Sequence, residues 1–370
     1  MYRVSILLAL VFTISCDFQD DATIPKSPWE YALPSEVGVD EGHLNVINNR
    51  IKDGVYGQLT SLIIIKDDKL IFENYYNNAN RHSRLPMLGT TVSISSILTG
   101  IALDEGIILD LDSLIINKLP DHFTTGLPQV DSTLKTQITY RNLLEMKMGV
   151  SWNELLRQFN DPQNTANQMS QTQSWSFFTM RRAMDSTPGG RFTYNSGSYM
   201  LLSLLIQEQS GFENLAAYAQ QRLFEPLGID YNWNSDPSGV TNAGWGLEIT
   251  PTSLAKIGYM SLNQGSYFGN QILSPDFANA MGAKQTEYTF NWDYGFGWWR
   301  ISDFSAFAPL TTQNDIYFSW GSGGQFLFVI PHLNMVVVTT ANNFAPNFNE
   351  TLGINLVLTE IVPSAESFDF

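Results

Sequence analysis

Apolar residues recur at helical spacing in one central stretch, where Ile94, Ile97, Leu98, Ile101 and Ala102 fall on a single face. Thr90, Thr91 and Ser93 offer hydroxyls near its start, where unpaired N–H groups need acceptors, and Gly106 suits its end. A shorter pattern of Leu44, Ile47 and Ile51 predicts a helix over residues 40–53. Residues 59–76 read as a hairpin, with two β-rich runs flanking Lys66-Asp67-Asp68-Lys69. Residues 107–245 follow a mostly helical pattern, interrupted by Pro120, Pro128, Pro162 and Pro188-Gly189-Gly190, and are clearest over 140–148 and 198–211. A further helix is predicted over 251–264. The tail is β-rich over 294–301, 316–330 and 335–340, and a last helix spans 349–361. Strands at both ends enclosing a helical insert predict an α/β body, residues 29–107 and 246–370, with a mostly helical subdomain at 108–245.

Composition narrows the function classes. The chain has 370 residues, 44% of them hydrophobic, so it can build a substantial core. Acids outnumber bases 36 to 20, and the net charge of −16 argues against nucleic-acid binding and against electrostatic adhesion to anionic lipid. The beginning of the chain carries Arg3, an apolar run from Val4 to Ile14, then Ser15-Cys16. This reads as a bacterial lipoprotein signal over residues 1–15, lipidated at Cys16 and followed by a polar tether over 16–28. Thr13 departs from the aliphatic residue favoured at its place, and an ordinary secretory signal is the plainer alternative. Cys16 is the only cysteine, so no intrachain disulfide forms. The expected location is the bacterial envelope, facing the periplasm or the cell surface, with membrane contact through the lipid anchor only.

The wording of the central helix carries more than its periodicity. Ile97-Leu-Thr-Gly-Ile-Ala-Leu-Asp-Glu-Gly106 resembles the run that follows the nucleophile in serine hydrolases related to β-lactamases and penicillin-binding proteins. Asn142-Leu-Leu-Glu-Met-Lys-Met-Gly-Val-Ser-Trp-Asn-Glu154, Pro226-Leu-Gly-Ile229 and Pro251-Thr-Ser-Leu-Ala-Lys-Ile-Gly258 resemble further blocks of that family, in order. The resemblance implies a β-lactamase/transpeptidase-like α+β fold, with an antiparallel sheet flanked by helices. It also exposes a departure. Aligned on the helix, the nucleophilic serine of the family's Ser-x-x-Lys motif falls on Gly89 and its lysine base on Val92.

Acyl transfer needs a nucleophile, a base, an oxyanion hole and a proton donor for the leaving group. Gly89 cannot attack and Val92 cannot accept a proton. Literal Ser-x-x-Lys matches at Ser132–Lys135 and Ser253–Lys256 lie in segments that match other parts of the family, and are read as chance. Gly190-Arg-Phe-Thr-Tyr-Asn-Ser-Gly-Ser198 resembles the second motif and implies that Tyr194, a proton relay in the family, and Ser196 stand in the cleft. Trp320-Gly-Ser-Gly-Gly-Gln325 resembles the third motif, with Ser322 where relatives carry histidine or tyrosine. Its glycines Gly323 and Gly324 would let a ligand approach the backbone closely. The oxyanion hole uses backbone N–H groups, which the resemblance places at Gly89 and Gln325. If the cleft is otherwise intact, restoring serine at 89 and lysine at 92 together should restore esterase activity.

Weaker candidates add little. His43, His82, His122 and His332 are scattered without metal-ligand spacing, and no cofactor is implied. Tyr294, Phe296, Trp298 and Trp299 suit a pocket or a strand core equally. The expectation is therefore a catalytically degenerate relative that binds a peptide-like or ester-like ligand, or a protein partner, without turning it over. Two alternatives stay open. One is a working hydrolase with a non-standard nucleophile such as Ser93 or Ser196. The other is a structural or partner-binding lipoprotein whose cleft is closed.

Overall fold

The computed structural model describes residues 28–119, 129–344, 349 and 351–366. Cys16, the signal segment, His122 and almost all of the tether lie outside them. Nine strands form one sheet: β1 (Glu30–Tyr31), β2 (Leu59–Lys66), β3 (Lys69–Tyr75), β4 (Thr286–Glu287), β5 (Trp292–Tyr294), β6 (Trp299–Ile301), β7 (Tyr317–Gly321), β8 (Gln325–Ile330) and β9 (Met335–Ala341). Their order is β1-β3-β2-β9-β8-β7-β6-β5-β4. Every neighbouring pair is antiparallel except β1 with β3, so the sheet is mixed by one short edge strand. An early strand and the last strand of the described residues meet in the middle of this sheet, where β2 pairs with β9.

Local chemistry accounts for these elements. Asp67 and Asp68 both take positive φ, 49° and 60°, the left-handed pair that a two-residue hairpin between β2 and β3 requires. Helix α1 (Glu41–Lys52) starts where the Asp40 carboxylate accepts the His43 N–H at 3.0 Å, and it buries Leu44, Ile47 and Ile51. Strand β8 reads as a continuous apolar run because the sheet is covered on both faces. A Cβ at Gly258 of the Pro251–Leu262 helix would strike Leu327, and one at Gly353 of the C-terminal Leu352–Leu356 helix would touch Phe326. Successive residues of one strand therefore face helices on opposite sides.

Helix α2 (Thr90–Asp104) sits between the sheet and the helical region. It is buried all round from Thr90 to Ala102, not on one face as its periodicity suggests. Its polar positions are accommodated because the hydroxyls find partners, Thr99 on the preceding turn and the three serines on other elements. Ser93 Oγ donates to Gly297 O at 2.6 Å, Ser95 Oγ to Ala243 O at 3.0 Å and Ser96 Oγ to Phe296 O at 2.6 Å. The expectation that Thr90, Thr91 and Ser93 cap the helix is corrected: the N-cap is Gly89, with no side-chain cap.

Against α2 packs α3 (Ser196–Ser210), which ends at Gly211 in the left-handed conformation. Among the described residues, 108–245 contribute no strand to the main sheet. Two differences from the sequence reading have local causes. The 140–148 helix stops at Leu144, because Met146 turns to a φ of 57°. Residues 294–301 form a hairpin of β5 and β6 instead of one strand, reversing at Gly297 with φ 76°. Ser132 and Lys135 lie on the Gln129–Lys135 helix.

Candidate active site

The turn into α2 is where the family's nucleophile would stand. Leu88 takes a φ of 50° and Gly89 an ordinary helical φ of −56°. The helix start is stitched to the sheet: Thr90 Oγ1 donates to Gln325 O at 3.0 Å, and Ser319 Oγ to Thr90 Oγ1 at 3.1 Å. These bonds bring β7 and β8 directly against Gly89.

The approach leaves no room for a side chain. A Cβ built on Gly89 would fall on the carbonyl oxygen of Trp320, far inside van der Waals contact, with the Tyr194 hydroxyl 3.1 Å away. The reverse contact is just as tight, since a Cβ on Gly321 would fall on the carbonyl oxygen of Met87. Two glycines on facing elements thus let two backbones touch. The turn after β7 is occupied as well. A Cβ on Gly323 would meet the ring of Phe344, and one on Gly324 would meet Ala341 at 2.8 Å. The close approach expected of a ligand at Gly323 and Gly324 is made instead by the chain itself.

Tyr194, Trp320 and Gly89 therefore do converge, whereas Ser322 is exposed at the tip of the turn. Tyr194 is 9% exposed and stacks on Trp299, with centroids 5.8 Å apart and planes at 15°. Burial, then the charges of Glu154 and of Tyr199, push its pKa well above the ordinary phenol value, so at neutral pH it is a phenol and no base. Val92 is 1% exposed and part of the core. Gln325 spends its side-chain amide on Ala341 O at 2.6 Å.

Ser196 turns to Glu154, the last residue of the 142–154 block. Glu154 accepts the Ser196 hydroxyl, the Ser196 N–H at 2.9 Å and the Trp152 indole N–H at 2.9 Å. Burial raises its pKa, opposed by these three donors. The carboxylate sits at the first turn of α3, where a helix favours negative charge, and supplements the Asn195 cap by taking the Ser196 N–H. Its signal in sequence was an acid two residues after a tryptophan, which nothing local distinguishes from a surface acid.

Ser93, a substitute nucleophile, and Lys256, the lysine of one literal Ser-x-x-Lys match, are committed elsewhere. Ser93 is 1% exposed and its hydroxyl proton is held by Gly297 O. Lys256 Nζ donates to Leu227 O and Gly228 O, at 2.9 and 2.7 Å. Lys135, the lysine of the other match, lies on the Gln129–Lys135 helix with its amine buried and without a hydrogen-bond partner among the described residues, and burial lowers its pKa. Tyr294, Phe296, Trp298 and Trp299 are all buried, so none of them opens a pocket. Among the described residues, no group of three or more His, Cys, Asp or Glu is arranged to hold a metal. Cavities of about 540 and 170 Å³ open elsewhere, one by Glu105 and Glu208, the other by Asn48 and Asn74. Neither is lined by Gly89, Tyr194 or Trp320.

The fold has many counterparts among solved structures. A provisionally named 6-aminohexanoate-dimer hydrolase from Bacillus anthracis aligns with a TM-score of 0.69 at 20% identity, over 90% of this chain and 86% of that one. EstCE1, a hydrolase with promiscuous acyltransferase activity, aligns with a TM-score of 0.66 at 16% identity, over 88% and 97%. A penicillin-binding protein from Bacillus halodurans gives 0.61 at 16%, over 80% and 95%. At these identities the likeness shows the β-lactamase/transpeptidase-like fold. No curated protein matches the sequence. The family model for Beta-lactamase matches residues 52–358, from the end of α1 into the C-terminal helices, and the chain belongs to the beta-lactamase family of serine-hydrolase-like proteins.

Proposed function

We propose that this chain is a non-catalytic member of its family, an envelope lipoprotein that acts by binding a protein partner. The observation that carries the reading is the Trp320 carbonyl standing where a side chain at position 89 would begin. A nucleophile is absent, and the space it would need is filled by backbone. Val92 supplies no base, and Tyr194 is held as a neutral phenol with nothing to activate. A peptide-like or ester-like ligand in the same cleft is disfavoured by the same contacts, which also close Gly323 and Gly324 against Phe344 and Ala341. Lipid attachment at Cys16 rests on the apolar run that precedes it.

Treatment with a fluorophosphonate and with a penicillin, followed by intact-mass measurement, tests the proposal. The expected result is an unmodified mass and no acyl-enzyme burst with ester substrates. Stoichiometric labelling mapped to Ser93 or Ser196 would overturn it and establish the non-standard hydrolase. For the anchor, the wild-type chain should partition with membranes and Cys16→Ala should not; an unlipidated wild-type chain would remove that part of the reading.

A further inference from the structure

Away from the family cleft, the His332 imidazole is wedged between two carboxylates. It lies in the Pro331–Leu333 turn that links β8 to β9, and its side chain is 1% exposed. Nδ1 stands 2.5 Å from Asp315 Oδ1, just before β7. Nε2 stands 2.9 Å from Glu366 Oε1, which follows the last helical turn, Val362–Ala365. A charged imidazolium donates from both nitrogens and satisfies both acids; a neutral ring has one donor and must face one carboxylate with a lone pair. The Thr311 hydroxyl is 3.0 Å from Nε2 and 2.9 Å from Glu366 Oε1, but its single proton can serve only one of them.

We propose that His332 is a proton-operated latch, which holds the C-terminal segment to the sheet while the imidazole is charged and loosens it when the proton leaves. The anchored segment is the helical stretch from Leu352 to Ala365, whose Ile354, Leu358 and Ile361 are buried in the core. The surroundings favour the charged ring. Besides Asp315 and Glu366, the groups around the latch are Lys66 and Asp67, which meet the turn through Leu333 O and Asn334. Arg300 and Asp303 reach it through Asn314, and Tyr317 lies beyond Asp315. Burial works against the imidazolium, yet the bonds and charges of Asp315 and Glu366 outweigh it and raise the pKa above the ordinary histidine value. Glu366 is the converse case: burial opposes its charge, but the Thr312 N–H, His332 and the Thr312 and Thr311 hydroxyls hold its pKa below the usual carboxylate value.

The two shifts set the window. A raised histidine contributes stability that is present below its unfolded pKa and lost as pH rises through its folded one. A depressed acid contributes stability that is lost as pH falls through its folded pKa. The latch is therefore strongest between the two titrations and weakens on either side.

Hydrogen exchange of residues 351–366 in the full chain, corrected for intrinsic rates and followed across pH, reads the latch directly. Above the His332 titration, the opening constant of that segment should rise about tenfold for each unit by which the latch raises the histidine pKa. His332→Gln should abolish the step, and Glu366→Gln should lower the His332 titration point seen by NMR. Equal protection of the segment on both sides of the wild-type titration would overturn the proposal, as would a step of unchanged size in His332→Gln. The wild-type profile decides the matter even if either variant fails to fold.

Discussion

Two helix starts meet beneath the sheet, and they have fared differently. At the start of α3 two polar residues inherited from the family pattern, Asn195 and Ser196, have structural duties. Asn195 caps the helix through its side chain, accepting the Ser198 N–H at 3.2 Å, and Ser196 is tied to Glu154. At the start of α2 the two positions that would carry chemistry hold no polar side chain. Gly89 leaves the helix without a side-chain cap, and Val92 has joined the core. Hydroxyls that hold α2 in place, Thr90, Ser93 and Ser96, are all used. The lesson is that side chains with a bond to the scaffold are present at both helix starts, whereas the nucleophile and base positions at α2 are empty of the chemistry their places imply.

Substitutions at the two starts sharpen this contrast. The largest effect should follow from Gly89→Ser combined with Val92→Lys. It adds a side chain against the Trp320 carbonyl and buries a lysine among apolar neighbours, for a loss of about 4 kcal/mol in denaturant unfolding. The double variant should still show no burst with ester substrates. That outcome would be the opposite of the restoration expected of an intact cleft, because the Trp320 carbonyl closes this one. Glu154→Ala should cost about 3 kcal/mol, because it strands the Ser196 and Trp152 donors inside the protein. Asn195→Ala, which removes only the cap of α3, should cost about 1 kcal/mol. Chemical denaturation of each variant measures these values, and a Glu154→Ala cost as small as that of Asn195→Ala would break the comparison.

The long elements were legible because their patterns are long. The apolar face of α1, the β2–β3 hairpin with its aspartate pair and the runs of β7 to β9 all follow from periodicity and turn chemistry. Helix α2 was legible as a helix but not as a helix buried on every side. Its serines look solvent-facing until Gly297, Phe296 and Ala243 supply carbonyls from distant parts of the chain. The site was legible as a set of empty positions, since Gly89 and Val92 show what is absent. That Trp320 fills the vacancy was not, because contact between two backbones 231 residues apart leaves no mark beyond two glycines, Gly89 and Gly321. Glu154 was missed for the same reason: its partners are set by how the 152–154 segment folds back onto α3.

The stability of Gly89→Ala tests the closed cleft most directly, because the two accounts predict opposite signs. Gly89 has helical φ and ψ of −56° and −21°, which alanine adopts without strain. In an open cleft the substitution should therefore stabilise the protein by about 0.4–1 kcal/mol, through the lower entropy of the unfolded chain. With the Trp320 carbonyl standing at the Cβ position, it should instead destabilise by about 1–3 kcal/mol, as overpacking does. A loss of that size in denaturant unfolding is the predicted result, and a gain in stability would contradict the account.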